Sequence, residues 1–168
     1  MKTSPTTKRR SAREWALQMI VQADLNPFVD VEMILKHFWE QQWSYLQEDA
    51  GTDGEEPDVI TNLLKPNERL AAPSIQEFTE ALVRGVLGNV EQLDAEITPY
   101  CENWSLERAG VIERCVLRLA FYEMTSMDTP VPVVINEAVD LAKYFSNPES
   151  GAFVNGILDR HARKRKSC

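Results

Sequence analysis

Residues 111–125, VIERCVLRLAFYEMT, carry the apolar pattern on which the fold depends. Apolar side chains recur at the three- and four-residue steps of an α-helix, at Ile112, Val116, Leu119 and Ala120. Val111, Cys115 and Phe121 widen this stripe. Because the apolar surface of a helix faces the core, so wide a stripe predicts a central, mostly buried helix.

Helical spacing also dominates the chain before and after this segment. Ser11 and Glu14 have the spacing of a capping box and predict the start of a first helix, which Pro27 ends. Asp30 is expected to cap a second helix that runs to about residue 46. A second capping box, at 74–77, predicts a long helix that bends near Gly85 or Gly88.

The C-terminal part continues in the same way. A short turn is expected after residue 105, and two further helices are predicted at 134–145 and 150–163. No alternating strand pattern competes with these helices, so the predicted fold is all-α. Four polar residues inside apolar patterns are expected to satisfy one another or helix ends, with a partner surface as the alternative: Arg118, Glu123, Asn136 and Glu137.

Residues 47–73 interrupt the helical pattern. They begin with QEDAGTDGEEPD, in which six acids stand among Gly and Pro. Such a composition cannot bury enough apolar surface to fold alone, so it predicts a long mobile loop. At 168 residues, the chain 1–168 is expected to form one domain with this acidic flexible insertion and an arginine-rich start at 1–13.

Charge is segregated along the chain. Residues 1–13 and 160–168 hold five bases each and no acid, so 26 acids and eight bases lie between Glu14 and Asp159. That body carries a formal charge of −18, within a whole chain of −8. Cationic ends on an acidic body indicate a local polyanion site, because Lys and Arg release counterions from nucleic acid. The alternative is that both ends are solvated tails, which composition favours for the C-terminal end.

Sequence motifs for catalysis or nucleotide binding are missing, since neither G-x-x-x-x-G-K, G-x-G-x-x-G nor G-x-S-x-G occurs. His37 and His161 have no ligand spacing, and His161 is expected to add to the basic C-terminal end. We therefore predict no catalytic residue, no metal and no cofactor.

The three cysteines, Cys101, Cys115 and Cys168, have no paired spacing and are expected to be free thiols in a reducing compartment. The chain has neither an apolar run of about 18 residues that could span a membrane nor the apolar core of a signal peptide. The expected location is cytoplasmic.

Arg9, Arg10 and Arg13 stand beside the predicted start of the first helix. Arg10 and Arg13 are three residues apart and share a helix face. Guanidinium groups suit phosphate and stack on bases. Positive charge at a helix N-terminus opposes the helix dipole, and a bound anion would relieve that cost.

Three segments together resemble the NusB family of transcription antitermination factors. They are RRSAREWALQ at 9–18, IERCVLRLAFYE at 112–123, and VINEAVDLAK at 134–143 followed by FVNGILD at 153–159. The resemblance implies an all-helical fold of two packed helical bundles without catalysis. It also implies binding to single-stranded boxA-type RNA of ribosomal RNA operons together with the ribosomal protein NusE. The pair helps RNA polymerase in an antitermination complex to read through terminators and supports ribosomal RNA maturation.

Carried over by position, the resemblance implies eight RNA-binding residues. They are Lys8, Arg9, Arg10, Arg13 and Gln18 in the N-terminal segment and Glu149, Phe153 and Asn155 near the start of the last helix. Unpaired bases stack on aromatic rings and Arg planes, which suits Phe153 beside an arginine cluster. The alternative for Phe153 is packing in the core.

The resemblance implies a NusE-facing surface that includes Val21, Glu107 and Glu113. An acidic helical surface suits a basic ribosomal protein, whereas the alternative for both glutamates is a solvated helix face. Val21 stands where the family often has an aromatic residue, and the acidic insertion is not expected in its compact members.

Two other functions remain open at the sequence level. The acidic body could be a protein-only scaffold that binds a basic protein, with the basic ends as tails. NusB-like domains also occur fused to ribosomal RNA methyltransferases, although this chain shows no cofactor motif. A homodimer that hides the RNA face is a further possibility.

Overall fold

A computed structural model of the chain describes residues 5–49, 73–102 and 105–166. Within these ranges the chain forms α-helices and two single 3₁₀ turns, at Thr98–Tyr100 and Leu106–Arg108, with no strand, so the all-α prediction is confirmed. The helices are α1 Pro5–Leu25, α2 Val31–Asp49, α3 Pro73–Leu87, α4 Val90–Ile97, α5 Val111–Ser126, α6 Val131–Phe145 and α7 Pro148–Lys166.

Helix α5 is the centre of the fold. It packs against α1, α3, α4, α6 and α7, and its side chains are buried without a break from Cys115 to Phe121. Helices α1, α2 and α3 contact one another on one side of α5, and α6 and α7 pair on the other. One continuous apolar core joins the two bundles through α5. The prediction of a central buried helix is confirmed.

Both helix starts that were predicted from capping boxes are wrong. Helix α1 begins at Pro5 and α3 at Pro73, so Ser11 and Ser74 lie inside helices. Proline suits a first helical turn, because the N–H that it lacks would have no helical partner there. The cap on α2 is confirmed, since an Asp30 carboxylate oxygen accepts the backbone N–H of Glu32 at 3.1 Å and of Met33 at 3.4 Å.

The predicted long helix from residue 74 is divided into α3 and α4 at Gly88 and Asn89. Residues 47–49, assigned to the insertion, continue α2, and residue 73 opens α3, whereas 50–72 lie outside the described residues. Helices α6 and α7 start earlier than predicted, at Val131 and Pro148.

The basic C-terminal end is part of the fold as far as residue 166. Arg160 pairs with Glu102 at 2.7 Å, and Arg165 donates to the Met124 carbonyl at the end of α5, also at 2.7 Å. Lys164 lies over the Tyr100 ring. Cations near a helix C-terminus stabilise its dipole. The interpretation of this end as a solvated tail is therefore wrong for 160–166.

His161 does not belong to a basic surface. Its ring is buried against Phe121, 4.3 Å between ring centroids, and its Nδ1 lies 3.2 Å from the Tyr100 hydroxyl. Burial first, and then the nearby Arg165, lower the pKa of His161. A neutral imidazole in the core replaces the expected surface cation.

Arg118 has different partners from those expected. Its guanidinium donates to both carboxylate oxygens of Asp94 at 2.7 Å and to Asp24 at 2.6 Å. These bonds tie α5 to α4 and α1. The prediction that the four polar residues satisfy one another or helix ends is wrong. Arg118 pairs with Asp94 and Asp24, Glu123 and Glu137 contact Arg13, and the Asn136 side chain is exposed.

No helix in the described ranges is both long enough and apolar enough to cross a membrane.

Two helical glycines provide a matched test of the packing of α3 on α5. The Tyr122 ring of α5 occupies the space where Gly85 would carry a Cβ, whereas Gly156 on α7 faces open space. We expect Gly156→Ala to raise the free energy of unfolding by about 0.5–1 kcal/mol, since alanine restricts the unfolded chain. Gly85→Ala should lower it by about 1–3 kcal/mol, because the ring must move. Equal urea midpoints for the two variants would contradict this packing.

Candidate nucleic-acid interface

The N-terminal arginine cluster, Arg9, Arg10 and Arg13, lies in the second and third turns of α1. The argument that these charges oppose the helix dipole at its first turn is therefore wrong, since that effect fades beyond the terminal turn. Arg10 and Arg13 have different carboxylate partners, whereas Arg9 and Arg13 lie over the same aromatic ring. Their availability to an anion differs accordingly.

Arg13 is inside the protein. Its guanidinium, 3% exposed, binds both carboxylate oxygens of Glu123 on α5, at 2.9 and 2.5 Å. A carboxylate oxygen of Glu137 on α6 lies 3.7 Å away on its other side. Such a bidentate, desolvated pair fixes α1 on α5 and α6. In this arrangement Arg13 faces carboxylates and not solvent.

Arg9 lies one helical turn before Arg13 on α1 and is exposed. Its guanidinium carbon stands 4.9 Å from the centre of the Phe78 ring on α3, and that of Arg13 stands 5.6 Å from the same ring. Stacking on an aromatic face orients a guanidinium without neutralising its charge. Lys8, half-buried, precedes it in the same helix.

Arg10 bridges α1 and α6 at the surface. Its guanidinium donates to Asp140 at 3.2 Å and lies 3.6 Å from Glu14, one turn along α1. Both the arginine and Asp140 side chains are more than two-fifths exposed, so water competes for this pair. Gln18, exposed, follows one turn after Glu14 on the same stripe.

Helix α6 joins the N-terminal cluster to the start of α7. Asp140 contacts Arg10, and the Lys143 side chain, three residues further along α6, covers Gly151 on α7. Arg10 and the start of α7 therefore both contact the second half of α6. Glu149 is exposed in the first turn of α7, Phe153 is half-buried against the core, and Asn155 is half-buried beside Asp159.

Glu113 is held by the segment that leads into α7. Its carboxylate accepts the Ser150 hydroxyl in a short hydrogen bond and the Ser146 hydroxyl at 3.2 Å. Burial alone would raise the pKa of Glu113, but the hydrogen bonds from Ser150, the backbone and Ser146 lower it overall. The structure thus gives this predicted partner contact an internal role in orienting α7.

The other two predicted partner contacts lie near each other. Asp24, three residues after Val21 on α1, pairs with Arg114 at 2.5 Å. Arg114 also donates to the Glu107 carbonyl at 3.4 Å. Val21 is half-buried and Glu107 exposed. This network therefore brings 21 and 107 to one side of the molecule, whereas the Glu113 carboxylate faces the α6–α7 connection.

Sequence reasoning missed the acceptors that position the arginines. Glu137 and Asp140 lie three apart on α6, so they share a face, and that spacing was the available signal for a cationic helix beside them. Phe78 is also absent from the predicted site residues, although its ring orients Arg9. Within the described ranges, no cluster of His, Cys, Asp and Glu could hold a metal ion.

Comparison with known proteins identifies the family of the chain and agrees with its helical fold. The profile of the NusB family matches residues 10–163. The transcription antitermination protein NusB of Syntrophotalea carbinolica is 38% identical over 156 residues, covering 92% of each chain. The T. maritima NusB structure matches with a TM-score of 0.69 and 32% identity, covering 97% of this chain and 93% of that one.

A crystal structure of the antitermination factors NusB and NusE in complex with double-stranded RNA matches with a TM-score of 0.65, covering 92% of this chain and 95% of that one. At 22% identity, this likeness concerns the fold alone. The helical fold and the sequence matches define a NusB-type protein, and the matched curated relative is named a transcription antitermination protein. The chain belongs to the NusB family.

The burial of Arg13 predicts a strong stability effect. Arg13→Met leaves the Glu123 carboxylate buried without its counter-ion, and we expect a loss of about 3–5 kcal/mol in the free energy of unfolding. The matched control is Arg10→Met, whose exposed pair is worth less than about 1 kcal/mol. Urea denaturation measures both. The double variant with Glu123→Met should recover much of the loss, and similar costs for the two single variants would contradict the arrangement.

The Asp24 network predicts a dependence of stability on pH. Burial alone would raise the pKa of Asp24, but hydrogen bonds from Arg114 and Arg118 lower it below its ordinary value of 3.8. A lowered carboxylate pKa stabilises the fold above the unfolded value and loses that contribution as pH falls. We therefore expect Asp24→Asn to cost about 2 kcal/mol at pH 7. The difference from wild type should shrink below about pH 4 in denaturation curves. A difference that grows on acidification would refute this assignment.

Proposed function

We propose that this chain is an RNA-binding antitermination factor that binds boxA-type single-stranded RNA of ribosomal RNA operons together with NusE. The supporting observation is family membership over 10–163, which includes Arg10 and Arg13 of α1 and most of α7. The proposed consequences are readthrough of terminators by the RNA polymerase antitermination complex and support of ribosomal RNA synthesis. A cytoplasmic location is part of this proposal.

The proposed RNA surface begins at Lys8, Arg9 and Arg10 and crosses α6 to α7. Arg9 stacks on Phe78 and keeps its charge available, so it offers both a cation for phosphate and a plane for a base. Arg10 can exchange its exposed Asp140 partner for phosphate at small cost. Gln18, Glu149, Phe153 and Asn155 complete the surface.

Arg13 has an indirect role in this proposal. Because its guanidinium is occupied by Glu123 and lies near Glu137, it positions α1 against α6 rather than touching RNA. The RNA contact expected from the sequence is thus replaced by a positioning role. Loss of this pair would displace Arg9 and Arg10 from the rest of the surface.

The proposed NusE surface includes Val21 and Glu107, which the Asp24–Arg114 network holds on one side of the molecule. A basic ribosomal protein fits the formal charge of −18 between Glu14 and Asp159. The solved neighbour that contains NusB and NusE supports this choice of partner. Glu113 contributes through the Ser150 contact, which orients α7.

One observation favours a protein-only scaffold as the second candidate. Two of the three clustered arginines already have carboxylate partners, namely Asp140 and Glu14 for Arg10 and Glu123 for Arg13. In a scaffold, these pairs would be structural and the acidic body alone would bind a basic protein. A homodimer that covers α1 is compatible with either candidate.

The two candidates differ in RNA binding. We expect Arg9→Ala with Arg10→Ala to weaken binding of a boxA-type single-stranded RNA about tenfold at low salt. The slope of log affinity against log salt should become shallower by about 1.4, because two phosphate contacts are lost. Fluorescence anisotropy over a salt series, with and without NusE, measures both quantities. The control is Lys36→Ala with Arg108→Ala, which removes the same charge from exposed positions elsewhere.

Each outcome distinguishes the candidates. Binding that NusE tightens, that prefers single-stranded over double-stranded RNA, and that only the α1 variant weakens would support the proposed function. NusE binding without RNA affinity at low salt would favour the scaffold. Equal losses of RNA affinity in the α1 variant and in its control would contradict the proposed RNA surface.

A further inference from the structure

A groove of about 350 Å³ lies between the start of α6 and the second half of α7. Its walls combine apolar Ile135 with three side chains of hydrogen-bonding chemistry, Asn136, Asn155 and Asp159, and with Arg163 at one end. Small-molecule sites share this make-up, an apolar body with a few placed polar groups. The resemblance named Asn155 alone among these residues.

The polar groups of the groove are arranged around one carboxylate. The Asn155 amide nitrogen donates to an Asp159 oxygen at 3.3 Å, which turns the Asn155 carbonyl oxygen away from that bond. Asp159 therefore can still accept further hydrogen bonds, and the Asn155 carbonyl oxygen beside it is a second acceptor. Asn136 adds a carboxamide group from the opposite wall of the groove. A site rich in acceptors favours ligands that present N–H donors.

The groove adjoins the proposed RNA surface. Asn136 lies one helical turn before Asp140 on the exposed side of α6, and Asp140 contacts Arg10 of α1. Asn155 belongs to both the groove and the predicted RNA surface. A strand that crosses α6 from the arginine cluster would reach the groove with its next nucleotides.

We propose that the groove between α6 and α7 receives one unpaired nucleobase with an exocyclic amino group, read by Asp159, Asn155 and Asn136. This inference rests on the proposed RNA-binding function and adds base selectivity to it. The carboxylate disfavours a phosphate in the groove itself, so the ligand part that enters is the base. Arg163, one turn beyond Asp159 on α7, also lines the groove.

Cytosine and uracil form the sharpest comparison. Cytosine carries an amino group at the position where uracil carries a carbonyl oxygen, and acidic side chains accept hydrogen bonds from that amino group. The uracil oxygen would meet the Asp159 carboxylate, acceptor against acceptor. Cytosine should therefore enter the groove and uracil should not.

The first measurement uses the full chain, labelled with ¹⁵N, and two nucleotides. Millimolar CMP should shift the side-chain amide signals of Asn136 and Asn155, and UMP should shift them much less. Asp159→Asn should remove the difference, because a carboxamide both donates and accepts and serves either base. Equal shifts with both nucleotides, or none with either, would overturn the proposal.

The second measurement compares ten-nucleotide cytidine and uridine RNAs by anisotropy. Wild type should bind the cytidine RNA about tenfold more tightly. Asp159→Asn should bring the ratio near one without changing the salt slope, since no phosphate contact is lost. The control Glu91→Gln, the same change at an exposed position on α4, should keep the wild-type ratio.

The two measurements separate the failure of each proposal. Wild type that binds neither RNA at low salt refutes the proposed function, while the nucleotide titration still judges the groove. Wild type that binds RNA with a cytidine-to-uridine ratio unaffected by Asp159→Asn overturns base reading and leaves RNA binding intact. If the groove binds a protein instead, Asp159→Asn should weaken NusE binding and leave the cytidine-to-uridine affinity ratio unchanged. That result would also overturn base reading.

Discussion

The buried ion pair between Arg13 and Glu123 is the constraint on which the rest of the molecule depends. Removing two charges from water is costly, so this contact is favourable only if α1 and α5 meet in one geometry. That geometry places Glu137 of α6 beside the same guanidinium and Arg10 opposite Asp140. The position of Arg10 relative to α6, and with it part of the surface proposed to bind RNA, therefore depends on this pair.

The structure shows which of the basic residues at the two ends of the chain are paired with acids. The described parts of both basic ends, 5–13 and 160–166, are helical and contact the acidic body, through Asp140 at one end and Glu102 at the other. Part of each cationic end is thereby neutralised, and Arg9, stacked on Phe78, contributes its charge most fully. Composition alone would count buried Arg13 and the bases of 160–166 as equal to exposed Arg9 in a surface that binds a polyanion.

Helical periodicity predicted the core well, because α5 is buried on most of its sides and its apolar stripe is correspondingly wide. The Asp30 cap was predictable because its partners lie two and three residues away. The starts of α1 and α3 were missed, since Ser-x-x-Glu spacing also occurs inside a helix that begins earlier. The burial of Arg13 and of His161 could not be predicted, because their partners are 110 and 61 residues away and local spacing says nothing of them.

The distance along the chain between Arg13 and Glu123 also sets an order of events during synthesis. Helix α1 is among the first segments to be made, yet its ionic partner follows 110 residues later. At about 5–20 residues per second, roughly 6–20 seconds separate the two. Throughout that interval Arg13 and the apolar side of α1 have no finished core to enter. The surface that would hold RNA thus comes into being only after most of the polypeptide has left the ribosome, although its arginines are made first.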